Sequence, residues 1–133
     1  MTDDAKSRAQ LILIVDDEPT VLRSVTTALA MAGYRVMVAE NGVAGLEAFM
    51  VARDEIVLVL ADVVMPTMNG LEMAEKIRGM APQTRILLMT GYSDAALLSL
   101  SEPSLPLIRK PFLPDDLIRA VRRHLEPPAA AKA

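Results

Sequence analysis

Five short runs of apolar residues punctuate the chain and predict five strands. The runs are rich in Val, Ile and Leu and too short for buried helices, as is typical of strands that are covered on both faces. They are Leu11–Val15, Val36–Val38, Ile56–Ala61, Arg85–Met89 and Leu107–Ile108.

Segments with apolar residues three and four positions apart follow these runs and predict five helices. They extend over Pro19–Ala32, Val43–Ala52, Leu71–Met80, Asp94–Leu100 and Pro114–Leu125. Pro19 suits the first turn of a helix, and Gly33 suits the position after the last turn. The strict alternation of strand and helix predicts an α/β fold, with one parallel sheet, helices on both faces and right-handed crossovers.

Length and composition narrow the class of protein. The 133 residues suffice for one domain, which we place at residues 11–125 between a disordered lead (1–10) and a flexible tail (126–133). A net charge of −3 and scarce aromatic residues argue against nucleic-acid binding. The absence of cysteine and the single His124 exclude thiolate and multi-histidine metal sites within one chain. No apolar run could cross a bilayer and residues 1–10 do not form a signal peptide, so we expect a cytoplasmic location without membrane contact.

Polar residues stand at the carboxyl ends of four of the five predicted strands. They are Asp16 and Asp17, Asp62, Thr90 and Lys110. Because the carboxyl ends of parallel strands open onto one edge of a sheet, these side chains can converge there. Considered alone, Asp62 is explained equally well as a turn or cap residue. The other groups favour a functional role for it.

Three carboxylates in one crevice repel each other unless cations balance them. Lys110 supplies one positive charge, and Mg²⁺ fits the remainder because it prefers oxygen ligands. Such a site suits a phosphoryl group, since a carboxylate can attack phosphorus while the metal and polar groups hold the phosphoryl oxygens. Asp62 would then be the nucleophile, with Asp16 and Asp17 on the metal. Thr90 and Lys110 would hold the phosphoryl oxygens.

Four segments resemble the receiver domains of two-component response regulators, in the order and at the intervals typical of that family. The segments are LILIVDDEP (Leu11–Pro19), LADVVMPTMNG (Leu60–Gly70), LLMTG (Leu87–Gly91) and IRKPF (Ile108–Phe112). Each segment is a weak signal by itself, whereas the four together are specific. The resemblance covers residues 11–125 and implies a flavodoxin-like, doubly wound fold with strand order 2-1-3-4-5.

The resemblance also implies roles for the acidic positions. Asp62 matches the phospho-acceptor, and Asp17 matches the residue that binds the metal directly. Asp16 matches the acidic neighbour that acts on the metal through water. Val64 matches the position whose backbone carbonyl completes the Mg²⁺ shell.

The phosphoryl-binding and switch positions match less completely. Thr90 corresponds to the switch hydroxyl of the family, Lys110 to the lysine that pairs with the phosphoryl group, and Pro111 to a proline that commonly follows a cis peptide bond. The family's switch aromatic usually lies three residues before the lysine, where this chain has Leu107. The usual coupled movement of threonine and aromatic ring is therefore not available.

The resemblance implies a bacterial signalling phosphoprotein rather than an enzyme with an external substrate. A sensor histidine kinase or a histidine phosphotransfer protein would supply the phosphoryl group, and slow autodephosphorylation would remove it. With no DNA-binding domain following, we expect output through a downstream protein target, and a monomer or a weak phosphorylation-dependent dimer. Pro103 and Pro106 crowd the segment that often forms the output surface. Both a stand-alone regulator and a receiver excised from a hybrid sensor kinase fit the pattern.

Two other functions fit the sequence less well. A phosphatase with an aspartyl nucleophile usually needs a second carboxylate two residues later, where Val64 stands. A degenerate receiver that acts as an unphosphorylated scaffold usually lacks an acidic or lysine position, and none is missing here. Arg119, Arg122 and Arg123 form either an ordinary charged helix face or a face for docking a partner.

Overall fold

The computed structural model describes residues 9–91 and 105–125. These ranges contain β1 (Leu11–Val15), α1 (Pro19–Met31), β2 (Arg35–Ala39), α2 (Gly42–Ala52), β3 (Ile56–Asp62), α3 (Gly70–Met80), β4 (Arg85–Thr90), β5 (Leu107–Arg109) and α4 (Pro114–Leu125). The predicted helix Asp94–Leu100, Pro103, most of the predicted lead and the predicted tail lie outside the described residues. None of the helices within these ranges has both the length and the apolar character that a bilayer crossing requires.

The five strands form one parallel sheet in the order β2-β1-β3-β4-β5. The predicted flavodoxin-like strand order is therefore confirmed. β1 and β3 are neighbours near the middle of the sheet, and their pairing ends with Val15 opposite Ala61. This register places the residues that follow the two strands side by side. β5 lies at the far edge of this sheet and, among the described strands, pairs with β4 alone, with Thr90 opposite Arg109.

Two apolar cores cover the two faces of the sheet. Successive strand residues point to opposite faces, so Leu13 of β1 packs in the core beneath α2 and α3, whereas Ile14 packs beneath α1 and α4. Phe49 of α2 and Leu29 of α1 are fully buried on their respective faces. β1 and β3 are thus buried on both sides, as their unbroken apolar runs predict. The sheet is a rigid support for the loops at its carboxyl edge.

Capping residues determine where α2 and α3 begin. The side chain of Asn41 accepts a hydrogen bond from a backbone N–H in the first turn of α2, and the helix starts at Gly42. Asn69 and Glu72 form a reciprocal capping box at the start of α3. Both helices therefore begin one residue before their predicted starts. α1 ends at Met31, one residue before its predicted end, with Ala32 as its C-cap, and Gly33 follows the cap at a φ of 100°, as expected for the residue after a helix.

Candidate functional site

Three aspartates meet at the carboxyl edge of the central strands. Asp16 and Asp17 directly follow β1, and Asp62 is the last residue of β3. One carboxylate oxygen from each residue lies within 4.8 Å of the other two. The parallel pairing of β1 with β3 produces this proximity, because it aligns the ends of the two strands. The structure thus brings together the three acidic residues that the sequence singles out.

Lys110 reaches the same cluster from the end of β5. Its Nζ donates a hydrogen bond to Asp16 Oδ2 at 3.0 Å and forms an ion pair with Asp62 Oδ1 at 3.2 Å. Burial lowers the pKa of Lys110, but the hydrogen bond to Asp16 and the negative charges of both carboxylates outweigh this, so the pKa is raised above its ordinary value of 10.5. Lys110 is therefore a stable ammonium at neutral pH. The peptide bond between Lys110 and Pro111 is cis.

Asp16 and Asp17 are adjacent in the chain but lie in different environments. Asp16 is fully buried, and its Oδ1 accepts a hydrogen bond from the backbone N–H of Glu18 at 2.9 Å while Oδ2 binds Lys110. Asp17 is exposed, and no hydrogen bond or ion pair to its carboxylate is formed by the residues that the structure describes. A buried charge requires partners from the protein. Asp16 has them, whereas Asp17 is open to a ligand.

Thr90 and Val64 are two further residues that the sequence assigns to this site. Thr90 is buried, its backbone carbonyl accepts a hydrogen bond from Lys110 N–H at 2.7 Å, and its Oγ1 donates to the Gly91 carbonyl at 3.2 Å. Val64 follows Asp62 by two residues, and its side chain is half exposed. Within the described ranges, no donor is hydrogen-bonded to the Val64 carbonyl oxygen. This oxygen is available to a further ligand.

Gly70 holds the loop after β3 close to the strand, a role that the sequence reasoning missed. The Gly70 N–H donates to the carbonyl of Val63 at 2.8 Å, and a Cβ atom at Gly70 would overlap the carbonyl oxygen of Asp62. The Asn69-Gly70 pair reads as a turn in the sequence. The spacing of Asn69 and Glu72 was the signal that a helix starts here, because it is the spacing of a capping box.

The cluster has the oxygen donors that a hard divalent cation requires. Three carboxylates lie together, and Lys110 forms ion pairs with two of them, those of Asp16 and Asp62. More negative than positive charge therefore remains among these groups. The Asp17 carboxylate lies beside that of Asp62, and Val64 follows Asp62 by two residues in the chain. Oxygen ligands of this kind, completed by water, are those that Mg²⁺ prefers.

Known proteins share this sequence pattern. A family model described as the response regulator receiver domain matches residues 12–122. The regulatory protein AtoC of Escherichia coli (strain K12) is 35% identical over 117 residues, which cover 86% of this chain and 25% of AtoC. The response regulator receiver protein CpdR of Brucella abortus (strain 2308) is 31% identical over 116 residues, which cover 86% of this chain and 95% of CpdR.

Solved structures share the fold as well. The crystal structure of a response regulator receiver domain protein from Clostridium thermocellum has a TM-score of 0.79 at 29% identity, and the match covers 87% of this chain and 94% of that chain. The chain spans about half the length of several other curated relatives that it matches. The family model and the relatives together cover most of the chain, and so this chain belongs to the response regulator receiver domain family.

Proposed function

We propose that this receiver takes a phosphoryl group from a phosphohistidine onto Asp62, in a reaction that requires Mg²⁺, and that the modification changes its contacts with other proteins. The observation that carries the proposal is the position of Lys110. Its ammonium contacts Asp16 and Asp62 at once, beside the third carboxylate of Asp17. A nucleophilic carboxylate, a fixed cation and an open carboxylate are the groups that phosphoryl transfer to an aspartate needs.

In the proposed transfer, an Asp62 carboxylate oxygen attacks the phosphorus of the phosphohistidine. The O–P bond forms as the N–P bond breaks, and the imidazole leaves with the electron pair of that bond. Lys110 would stabilise the phosphoryl oxygens, because Asp16 holds its ammonium beside the nucleophile. The hydroxyl of Thr90 would exchange its bond to the Gly91 carbonyl for a bond to a phosphoryl oxygen.

Asp17, Asp62 and the Val64 carbonyl are the groups that would hold Mg²⁺, with Asp16 acting through water. When bound, Mg²⁺ neutralises the negative charge that accumulates between the carboxylates and the phosphoryl group. Asp17 suits direct binding because it is exposed and without a protein partner. Asp16 suits the indirect role because Lys110 and the Glu18 N–H already occupy its oxygens.

In this proposal, a cytoplasmic sensor histidine kinase or histidine phosphotransfer protein donates the phosphoryl group. The phosphorylated chain then binds a downstream protein target. Water would later attack the phosphorus of the aspartyl phosphate and release inorganic phosphate, so the chain does not act on an external substrate. Readout would start with inward movement of Thr90 and Lys110. Leu107 has no ring and is half exposed, so the readout proposed here involves no aromatic switch.

Intact mass spectrometry after incubation with acetyl phosphate tests the proposal. The wild type should gain the mass of one phosphoryl group with Mg²⁺ and none with excess EDTA, and Asp62→Asn should gain none under either condition. Asp115→Asn, a change at an exposed aspartate of α4, is the matched control and should label like the wild type. Labelling that persists in Asp62→Asn would refute the assignment of the acceptor. No labelling of the wild type would leave a receiver fold that acts as an unphosphorylated scaffold.

A further inference from the structure

Helix α2 lies on the surface, yet it is apolar on nearly all sides. Glu47 is the one charged residue among its 11 residues. On the outer side, Val43, Met50 and Val51 are 44%, 62% and 83% exposed. A helix that is apolar all round is typical of a buried position rather than of a surface. The outer face of α2, defined here by Val43, Glu47, Met50 and Val51, therefore has the composition of a contact surface.

The charge at this face is negative. Glu47 lies within it, and Asp54 follows the helix and is exposed. The last turn of α2 contains no basic residue, so its terminal carbonyl groups add partial negative charge. Arg53 is exposed beside Met50, Val51 and Asp54, and its guanidinium donates to the Met80 carbonyl at 3.2 Å. It offsets one of the two carboxylates, so Glu47 and Asp54 leave the face with an excess of negative charge. A surface complementary to this face would have positively charged side chains around an apolar centre.

Such a surface exists on α4 of the same chain. Its outer face carries a depression of about 500 Å³ lined by Asp115, Ile118, Arg119, Arg122 and Arg123. Arg119 is paired with Asp116 at 3.5 Å. Within the described ranges, Arg122 and Arg123 have no ion-pair partner. Their aliphatic stems and Ile118 offer apolar surface, and their guanidinium groups offer positive charge.

We propose that the outer face of α2 binds the arginine face of α4 on a second copy of this chain. Apolar side chains of α2 would fill the depression on α4, and its carboxylates would pair with the arginines. Contacts between like faces are disfavoured, since two α2 faces would oppose carboxylates and two α4 faces would oppose guanidinium groups. The two helices cover opposite faces of the sheet, so each copy presents its α2 face on one side and its arginine face on the other. The contact is therefore head to tail and extends beyond a dimer.

This contact is independent of the proposed phosphoryl transfer, because none of its residues belongs to the aspartate cluster. It involves one face each of two helices of 11 and 12 residues. A contact of this size is weak and, with exposed charges at its rim, sensitive to salt.

Sedimentation velocity of the unphosphorylated chain over a concentration series at low salt tests the proposal. The weight-average sedimentation coefficient of the wild type should rise with protein concentration, and added salt should suppress the rise. Glu47→Lys should weaken association about tenfold, because it replaces an attraction between exposed charges by a repulsion. Glu75→Lys, which changes an exposed glutamate of α3 by the same charge, is the matched control and should associate like the wild type.

A charge swap makes the test specific for the two faces. Glu47→Lys/Asp54→Lys and Arg122→Glu/Arg123→Glu should each remain monomeric alone, and an equimolar mixture should associate again. If the reversed arginines reduce the melting temperature, Arg122→Gln/Arg123→Gln replaces that variant and should also be monomeric. A wild type that stays monomeric at every concentration, or a mixture that does not associate, would overturn the proposal and leave the α2 face to a partner of another kind.

Discussion

Lys110 Nζ lies 3.0 Å from Asp16 Oδ2, although the two residues are 94 positions apart in the chain. The pair ties the end of the edge strand β5 to the end of the central strand β1. Because Asp16 is fully buried, its carboxylate needs partners from the protein, and Lys110 supplies the cationic one. The same ammonium is thereby held 3.2 Å from Asp62 Oδ1. One ion pair thus supports both the packing of the sheet edge and the position of the cation beside the proposed nucleophile.

Removal of the ammonium should destabilise the metal-free protein. We expect Lys110→Met to lower the free energy of unfolding by about 2 kcal/mol, because it leaves the buried Asp16 carboxylate without its cation. Urea unfolding at neutral pH with EDTA measures this change. Lys76→Met, at an exposed position of α3, is the matched control and should change the midpoint little. Equal midpoints for Lys110→Met and the wild type would contradict the role given to the ion pair.

Replacement of Asp17 should have the opposite effect on stability, because this carboxylate repels the other two and has no ion-pair partner among the described residues. In EDTA, Asp17→Asn should raise the free energy of unfolding by about 0.5–1 kcal/mol, since it removes one of three like charges at a partly solvated site. Added MgCl₂ should stabilise the wild type by about 2.7 kcal/mol at one hundred times its dissociation constant. The variant should lose most of that gain. Thermal melts with and without MgCl₂ report both effects, and a variant that keeps the full Mg²⁺ response would exclude Asp17 as a direct ligand.

Two glycines of α3 should respond to alanine with opposite signs. A Cβ at Gly70 would overlap the Asp62 carbonyl oxygen, so Gly70→Ala should cost about 2–3 kcal/mol of stability and displace the loop after β3. A Cβ at Gly79 meets no atom within 4 Å. Gly79→Ala should therefore stabilise by about 0.5–1 kcal/mol through helix propensity. Urea midpoints compare the two, and a tolerated Gly70→Ala would show that the close approach is not required.

Thr67 lies in the loop between β3 and α3 with a φ of 70°, in the left-handed region. This conformation is unfavourable for a β-branched residue, at a cost of roughly 1–2 kcal/mol. Thr67→Gly should therefore raise the free energy of unfolding by about 0.5–1 kcal/mol, part of the relief being offset by the greater freedom of glycine in the unfolded chain. Thr67→Ala keeps a Cβ atom and is the matched control, with little change expected. A loss of stability in Thr67→Gly would mean that the threonine side chain contributes more than its backbone costs.

His124 should make stability depend on pH. Burial and the positive charge of Arg123 lower the pKa of His124 below its ordinary value of 6.5 in the folded chain. The unfolded chain therefore binds the proton first, and the stability contributed by neutral His124 is present above pH 6.5 and is lost as the pH falls through the folded-state pKa. Wild type and His124→Gln compared in urea over this pH range should diverge as the pH falls, with the wild type losing more. Parallel curves would show that His124 titrates alike in both states.

The order of elements was predictable because its signals are local. α4 extends over Pro114–Leu125 as predicted, since an acidic first turn, a periodic apolar stripe and a basic last turn all occur within that segment. The starts of α2 and α3 were each predicted one residue late. In both cases an asparagine caps the helix and a glycine is its first residue. In the sequence, an Asn-Gly pair resembles a turn that precedes the helix. The predicted helix Asp94–Leu100 lies outside the described residues and stays a prediction.

The sequence by itself determined which residues stand at the ends of the strands, because apolar runs and the charges that terminate them are visible along the chain. The pattern of charges by itself does not distinguish Asp16 from Asp17, which are adjacent and chemically identical, and only the family resemblance implies different roles for them. Only the tertiary structure decided that Asp16 is buried against Lys110 and that Asp17 is open, because that difference depends on the return of β5 to the sheet edge. The overlap at Gly70 likewise depends on how closely two backbone segments approach, and only folding establishes that distance.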